Sequence, residues 1–159
     1  ENSFQHGYGE EYFTDGASYK GEYMYGKKSG IGRFDWEDGS YYEGEILNGN
    51  MHGKGLYQYN DGRVYNGDWQ ENKMNGHGVL SFPDGKRYEG EFKDDMREGR
   101  GKGVWNRKKW YEGEFVKGVQ HGEGVLFYDG RKIKGNWKNG VVGKIQHPKN
   151  FDAKPVKAK

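Results

Sequence analysis

Five tyrosines, Tyr19, Tyr42, Tyr65, Tyr88 and Tyr111, recur at a fixed spacing of 23 residues. Each is followed two residues later by glycine (Gly21, Gly44, Gly67, Gly90, Gly113) and eleven residues later by a G-x-G (Gly30/Gly32, Gly53/Gly55, Gly76/Gly78, Gly99/Gly101, Gly122/Gly124). A period of this length, held through five registers, marks a chain built from tandem supersecondary units. Within one unit, Tyr42-Glu43-Gly44-Glu45-Ile46 alternates apolar and polar residues with period two, and so does Gly55-Leu56-Tyr57-Gln58-Tyr59. That alternation predicts two strands. The segment Leu47 to His52 and the following Asn60-Asp61-Gly62 carry turn chemistry. The fold class this predicts is all-β: an elongated, twisted, single-layer antiparallel sheet of tandem β-hairpins. At two strands per repeat the meander has about eleven or twelve strands.

The unit reads Y-x-G-[ED]-φ, a polar turn, G-x-G, a short alternating run, then D-G. In that order it resembles the MORN repeat (membrane occupation and recognition nexus). The resemblance runs from about His6 to Gly143, with repeats starting near 19, 42, 65, 88, 111 and 133 and a partial one over 6–18. Residues 144–159 then read as a basic C-terminal cap or linker. The resemblance implies an array that organises cytoskeletal, ciliary or membrane-contact assemblies, some such arrays being elongated dimers. It also implies two other settings: phospholipid binding, and a regulatory region beside a lipid kinase or lysine methyltransferase.

Composition fixes what kind of core such units can share. Ile, Leu and Val together number 17, against 13 Tyr, 8 Phe and 5 Trp, so the core is thin and aromatic. Period two places Tyr42, Gly44, Ile46, Tyr57 and Tyr59 on one face. Their counterparts are Tyr19, Tyr23, Phe34 and Trp36; Tyr65, Trp69, Leu80 and Phe82; Tyr88, Phe92 and Trp105; and Tyr111, Phe115 and Leu126. The glycines fall between the rings and leave room for them. Of this face, Tyr42, Tyr57, Tyr59, Tyr65, Trp69, Phe82, Tyr88, Phe92 and Trp105 are the candidate partner-binding residues, since exposed apolar patches mark interfaces and Tyr and Trp are common hot spots.

The charges sort by surface. Glu22, Glu43, Glu45, Asp68, Glu89, Glu91, Glu112 and Glu114 form an acidic stripe on the opposite face. The D-G turns bring Arg63, Lys86, Arg87, Arg107, Lys108, Lys109, Arg131 and Lys132 to one edge, the candidate site for anionic lipid headgroups or an acidic partner. Residues 1–80 hold 7 Lys and Arg against 13 Asp and Glu, and residues 81–159 hold 19 against 11. A chain so divided is not a nucleic-acid binder by bulk charge.

Enzyme chemistry finds little support. Cysteine is absent, which removes thiolate nucleophiles, disulfides and thiolate metal sites. His6, His52 and His121 share one repeat position, where they read as turn residues. Three repeats put His52 and His121 on the order of 30 Å apart, so they share no metal. The paired acids follow the repeat, which accounts for them without glycosidase chemistry. G-x-G here lies between strands, whereas a phosphate-cradling loop opens a helix. No metal or cofactor is expected.

Three departures from the repeat stand out. The chain starts within a repeat, which reads as an excerpt or as a first strand supplied from elsewhere. The fourth repeat has Asn106-Arg107-Lys108-Lys109 in place of D-G, and Gly103 where a bulky residue packs elsewhere. The sixth is short, with Ile133 in place of Tyr and one residue missing before it. The functional expectation is a non-enzymatic scaffold, cytoplasmic and associated with cytoskeleton or membrane. It binds a protein segment along the aromatic groove or pairs with its own copy as a homodimer. The alternatives are a peripheral membrane module acting through the basic edge, and the regulatory region of a larger enzyme.

Overall fold

The structure, a computed structural model, describes residues 4–146. Its thirteen strands are β1 (Gly7–Tyr12), β2 (Ser18–Met24), β3 (Lys27–Asp35), β4 (Tyr41–Leu47), β5 (Asn50–Gln58), β6 (Val64–Gln70), β7 (Lys73–Ser81), β8 (Arg87–Lys93), β9 (Met96–Asn106), β10 (Lys109–Val116), β11 (Val119–Tyr128), β12 (Arg131–Lys138) and β13 (Val141–Gln146). No helix occurs among the described residues. The strands form one antiparallel sheet whose spatial order is the chain order. The count exceeds eleven or twelve because the incomplete first repeat still supplies β1, and the imperfect last one supplies both β12 and β13. Lys144 to Gln146 therefore belong to a strand, while 147–159, the rest of the expected cap or linker, lie outside the described residues. The chain falls into two compact units, Glu1–Leu80 and Ser81–Lys159.

Two kinds of turn alternate. Within the repeats, hairpins close through two residues in the left-handed region, such as Asn48-Gly49 (φ 49° and 81°) and Lys117-Gly118 (49° and 84°). These are type I′ turns, whose twist matches that of the strands. Two residues suffice, so β5 starts at Asn50, and His52 lies within it rather than in the longer turn the sequence suggests. The other turns carry Asp-Gly. At the second, the Trp36 N–H donates to the Ser40 carbonyl (3.0 Å), the Gly39 N–H donates to the Trp36 carbonyl (3.1 Å), and the Asp38 carboxylate accepts the Ser40 N–H (2.9 Å). The same bonds recur around Asp15, Asp61 and Asp84. A side-chain acceptor at this place holds the turn by its own backbone. In the fourth repeat Asn106 accepts the Lys108 N–H in the same way (2.8 Å), and a register shift follows between Lys109 and Trp110. In the fifth, Asp129-Gly130 contracts to a type I′ pair (φ 48° and 78°), which accounts for the residue missing before Ile133.

The core grows from rows of paired glycines. Gly9, Gly21, Gly32, Gly44, Gly55 and Gly67 face one another in successive strands of the first unit. Gly90, Gly101, Gly113, Gly124 and Gly135 do so in the second. The periodic tyrosine lies over the row, so closely that a Cβ on Gly55 would overlap the Tyr42 ring. Its hydroxyl donates to the carbonyl three residues on: Tyr19 to Glu22 (2.8 Å), Tyr42 to Glu45 (2.6 Å), Tyr65 to Asp68 (2.8 Å), Tyr88 to Glu91 (2.8 Å) and Tyr111 to Glu114 (3.0 Å). These five side chains are buried, and burial pushes the Tyr19 and Tyr111 hydroxyls up to about 12. Edge-to-face contacts complete the columns, Tyr65 on Trp69 at 5.0 Å and Tyr88 on Phe92 at 5.0 Å among them. Offset and edge-on ring pairs of this kind add to the area that the rings bury.

Candidate interaction surface

The register divides the candidate aromatic residues into two groups. Tyr42, Tyr65, Trp69, Tyr88 and Phe92 are core: all are buried, and the Trp69 indole N–H donates to the Gly55 carbonyl at 3.0 Å. They are not available to a partner, because the glycine rows let these rings sink onto the backbone. Tyr57, Tyr59, Phe82 and Trp105 are half-buried and keep part of each ring in solvent.

In the first unit the half-buried rings form a ladder. Phe34 stacks on Trp36 (5.8 Å, 17°), Trp36 meets Tyr57 (5.4 Å), and Tyr57 meets Tyr59 (4.6 Å). Beside Phe34 and Trp36 a cavity of about 740 Å³ opens, lined also by Phe13, Ala17, Met51 and Asp15. None of these four large apolar residues belongs to the partner-binding candidates drawn from the sequence: Phe34 and Trp36 are assigned there only to the aromatic face, and Phe13 and Met51 to neither. Phe13 was nevertheless legible, since Phe13, Trp36, Tyr59 and Phe82 each stand two residues before the Asp of a D-G turn. That aromatic-x-D-G signature places one ring per repeat at the turn edge.

The acidic stripe has a structural use. In the first unit the carboxylates of Glu22, Glu45 and Asp68 accept backbone N–H groups from Ile31, Lys54 and His77, the middle residues of three G-x-G segments. The first glycine of each segment has positive φ (Gly30 108°, Gly53 63°, Gly76 105°), and a register shift marks the bulge between Gly21 and Tyr23 and between Gly44 and Ile46. Each such acid therefore ties down a β-bulge. Burial raises the Asp68 carboxyl, but the Lys54 ammonium and the His77 N–H outweigh it and hold the group below its ordinary range. A depressed carboxyl stabilises the fold above its unfolded value, near 3.9, and that contribution is lost as pH falls through the folded value. Urea unfolding should show the midpoint falling below about pH 4, and Asp68→Asn should flatten that dependence.

Of the described histidines, His52, His77 and His121 lie within strands and His6 just before β1, and among the described residues no group of three or more His, Asp or Glu is placed to hold a cation. His6 uses Nδ1 to accept the Tyr25 N–H of the next hairpin turn (3.4 Å). Ser29 and Glu98, at the same repeat position, accept the N–H groups of Asn48 (3.0 Å) and Lys117 (2.8 Å).

The repeat unit is thus a β-hairpin whose tyrosine spans a glycine pair, tied by an acid at its bulge and closed by an Asp-Gly turn. The chain matches the family profile of the MORN repeat over residues 1–18, 19–41, 42–62, 65–87, 88–106 and 111–130. It is a MORN-repeat protein. The profile counts the partial first unit and stops at residue 130, whereas the β12–β13 hairpin beyond it keeps Ile133 and Trp137 buried at the places of Tyr and φ. A search of the curated proteins found no match.

The basic residues of this MORN array are not equivalent. Arg63 bonds Asp61 of its own turn (2.8 Å) and lies over Tyr59 (4.3 Å), and Lys86 pairs with Asp84 (3.4 Å). Both are offset where they stand, and Arg87 is exposed at the start of β8. Arg107 and Lys108 instead line a cavity of about 550 Å³ with Asn106, Tyr128 and Asp129, and Lys109 lies over Trp105 (4.9 Å). Arg131 and Lys132 follow the neighbouring turn, Lys132 over Phe127 at 5.8 Å. The glycines Gly21, Gly44, Gly67, Gly90 and Gly113 lie in the rows beneath the tyrosines, where a Cβ has no room.

Proposed function

We propose that this MORN array is a non-enzymatic interaction module that takes up an extended protein segment along the aromatic ladder of its first unit. The observation that carries the reading is the separation of two sets of rings. One set is buried; the other is the half-buried ladder Phe34, Trp36, Tyr57 and Tyr59, whose Phe34 and Trp36 end borders an open cavity with Phe13 and Met51. A stable fold does not require rings left half in water beside an apolar cavity, and such patches are where partners dock. Asp15 lines the cavity and Glu37 packs against Gly16 at its rim, within a stretch of net negative charge. The complementary segment carries apolar or aromatic side chains flanked by Lys or Arg.

Selection of random peptides on the folded protein tests this. Trp36→Ala should cost the dominant binders about 2 kcal/mol, roughly thirtyfold in affinity, with the thermal midpoint nearly kept. Trp69→Ala is unsuitable because it breaks the core. Binders indifferent to Trp36, or acidic ones, would contradict the reading.

The turns of the fourth and fifth repeats favour a second reading, a peripheral membrane contact. Arg107, Lys108, Lys109, Arg131 and Lys132 stand with the aromatic Tyr128 and one acid, Asp129. Basic residues near an anionic surface contribute about 1 kcal/mol each. Converting Arg107, Lys108 and Lys109 to Glu should then weaken binding to phosphatidylserine-containing vesicles by about a hundredfold or more. Equal binding to neutral phosphatidylcholine vesicles, or indifference to the triple change, would exclude it.

A further inference from the structure

Lys28, Met51, Met74, Arg97 and Gln120 occupy one position of the repeat, two residues before the first glycine of G-x-G. Two of the five are cations, and their surroundings differ. Lys28 lies over Phe13, Tyr19 and Tyr23, and its ammonium is 3.4 Å from the Glu11 carboxylate. Glu11 also accepts the Tyr23 hydroxyl, so this charge is matched.

Arg97 is half-buried over the faces of Tyr88 (5.7 Å) and Phe115 (5.5 Å). Its backbone carbonyl accepts the Gly118 N–H (2.9 Å), which holds the strand beneath it in place. No carboxylate among the described residues pairs with its guanidinium, and burial pushes that group down from its ordinary value. Two ring faces attract the cation but offer its five N–H donors no lone pair. Its nitrogens keep contact with solvent, so the donors stay open to an incoming acceptor while the rings hold the side chain. At the same position Met51 and Met74 meet the packing need without charge, so the fold does not call for an arginine there.

We propose that Arg97 is the anchor for a carboxylate presented by a protein segment docking on the second unit. Its two aromatic supports restrict the side chain, and a carboxylate completes the fork with two parallel hydrogen bonds. One guanidinium matches one carboxylate, whereas a phosphomonoester carries about −1.5 to −2 charges and calls for further cations. The proposal shares with the groove reading only the premise that the array binds protein segments; its residues lie in the other unit.

The test follows the Arg97 Nε–H resonance during titration with acetate and, separately, inorganic phosphate at matched ionic strength. Arg33 and Arg63, already bonded to Asp35 and Asp61, are the internal controls. The Arg97 signal should shift saturably with acetate at a roughly tenfold lower concentration than either control. Arg97→Met should leave the thermal midpoint unchanged or raised, because the array already accepts methionine there. An Arg97 signal that tracks the controls, saturation by phosphate before acetate, or a midpoint several degrees lower in the variant would each overturn the assignment. Peptides selected for the first-unit ladder should bind Arg97→Met normally, so failure here and failure of the groove reading are distinguishable.

Discussion

Gly44→Ala should lower the unfolding free energy by about 3 kcal/mol or more, enough to disrupt the first unit. The new Cβ would reach within 2.5 Å of the Lys54 carbonyl oxygen, closer still to the Gly55 Cα across the strand pair, and 3.0 Å from the Tyr42 hydroxyl. Backbone atoms cannot rotate away, so relief requires the β4–β5 ladder to open where Tyr42 depends on it. Conformational freedom is not the issue; the approach of the two strands is. Gly103→Ala supplies the contrast. There the Cβ meets only the Phe115 ring, at 3.7 Å, and φ is not positive. Removing unfolded-state freedom should stabilise the protein by about 0.5–1 kcal/mol. Urea denaturation of both variants decides the matter, and equal effects would refute the close-packed glycine row.

Tyr42→Ala should cost about 3–5 kcal/mol, in the range for deleting a buried aromatic side chain. Tyr42→Phe isolates the hydroxyl. The Glu45 carbonyl loses its 2.6 Å donor at a part-buried bulge, a hydrogen bond worth about 1 kcal/mol. Because neighbouring repeats share rings, Tyr42 and Trp69 (5.5 Å apart, 88°) should be coupled: the double variant should lose less than the sum of the singles. A phenylalanine variant as stable as the parent would mean that the hydroxyl bond adds nothing, leaving the ring alone as the reason for tyrosine.

The architecture was open to reading because it is written in spacing. Tyr at 23-residue intervals, paired glycines and D-G turns fix strand, turn and face without side-chain detail. The strand count fell short because Gly7 to Tyr12 has no tyrosine partner strand of its own to flag it, and the turn around Asn48-Gly49 was drawn too long because type I′ geometry needs only two residues. The site was less legible. Periodicity assigns a residue to a face but not to a depth: Tyr42 and Tyr57 are opposite one another in register, yet one is fully buried and the other is not. The acids at Glu22, Glu45 and Asp68 read in sequence only as a periodic stripe, because nothing in the alternation announces a bulge whose N–H needs a carboxylate. Arg97 carries no sequence signal beyond standing where two other repeats have methionine.

The buried rings and the half-buried rings are separate sets, and the proposed function assigns partner contact to the second alone. Labelling the protein with 5-fluorotryptophan tests it most directly, since Trp36 belongs to the ladder while Trp69 and Trp137 are buried. The Trp36 resonance should show a solvent isotope shift between H2O and D2O and move when a selected peptide is added, with Trp69 and Trp137 doing neither. A silent Trp36, or a Trp69 that responds to solvent and peptide as strongly, would contradict the division between the two sets of rings.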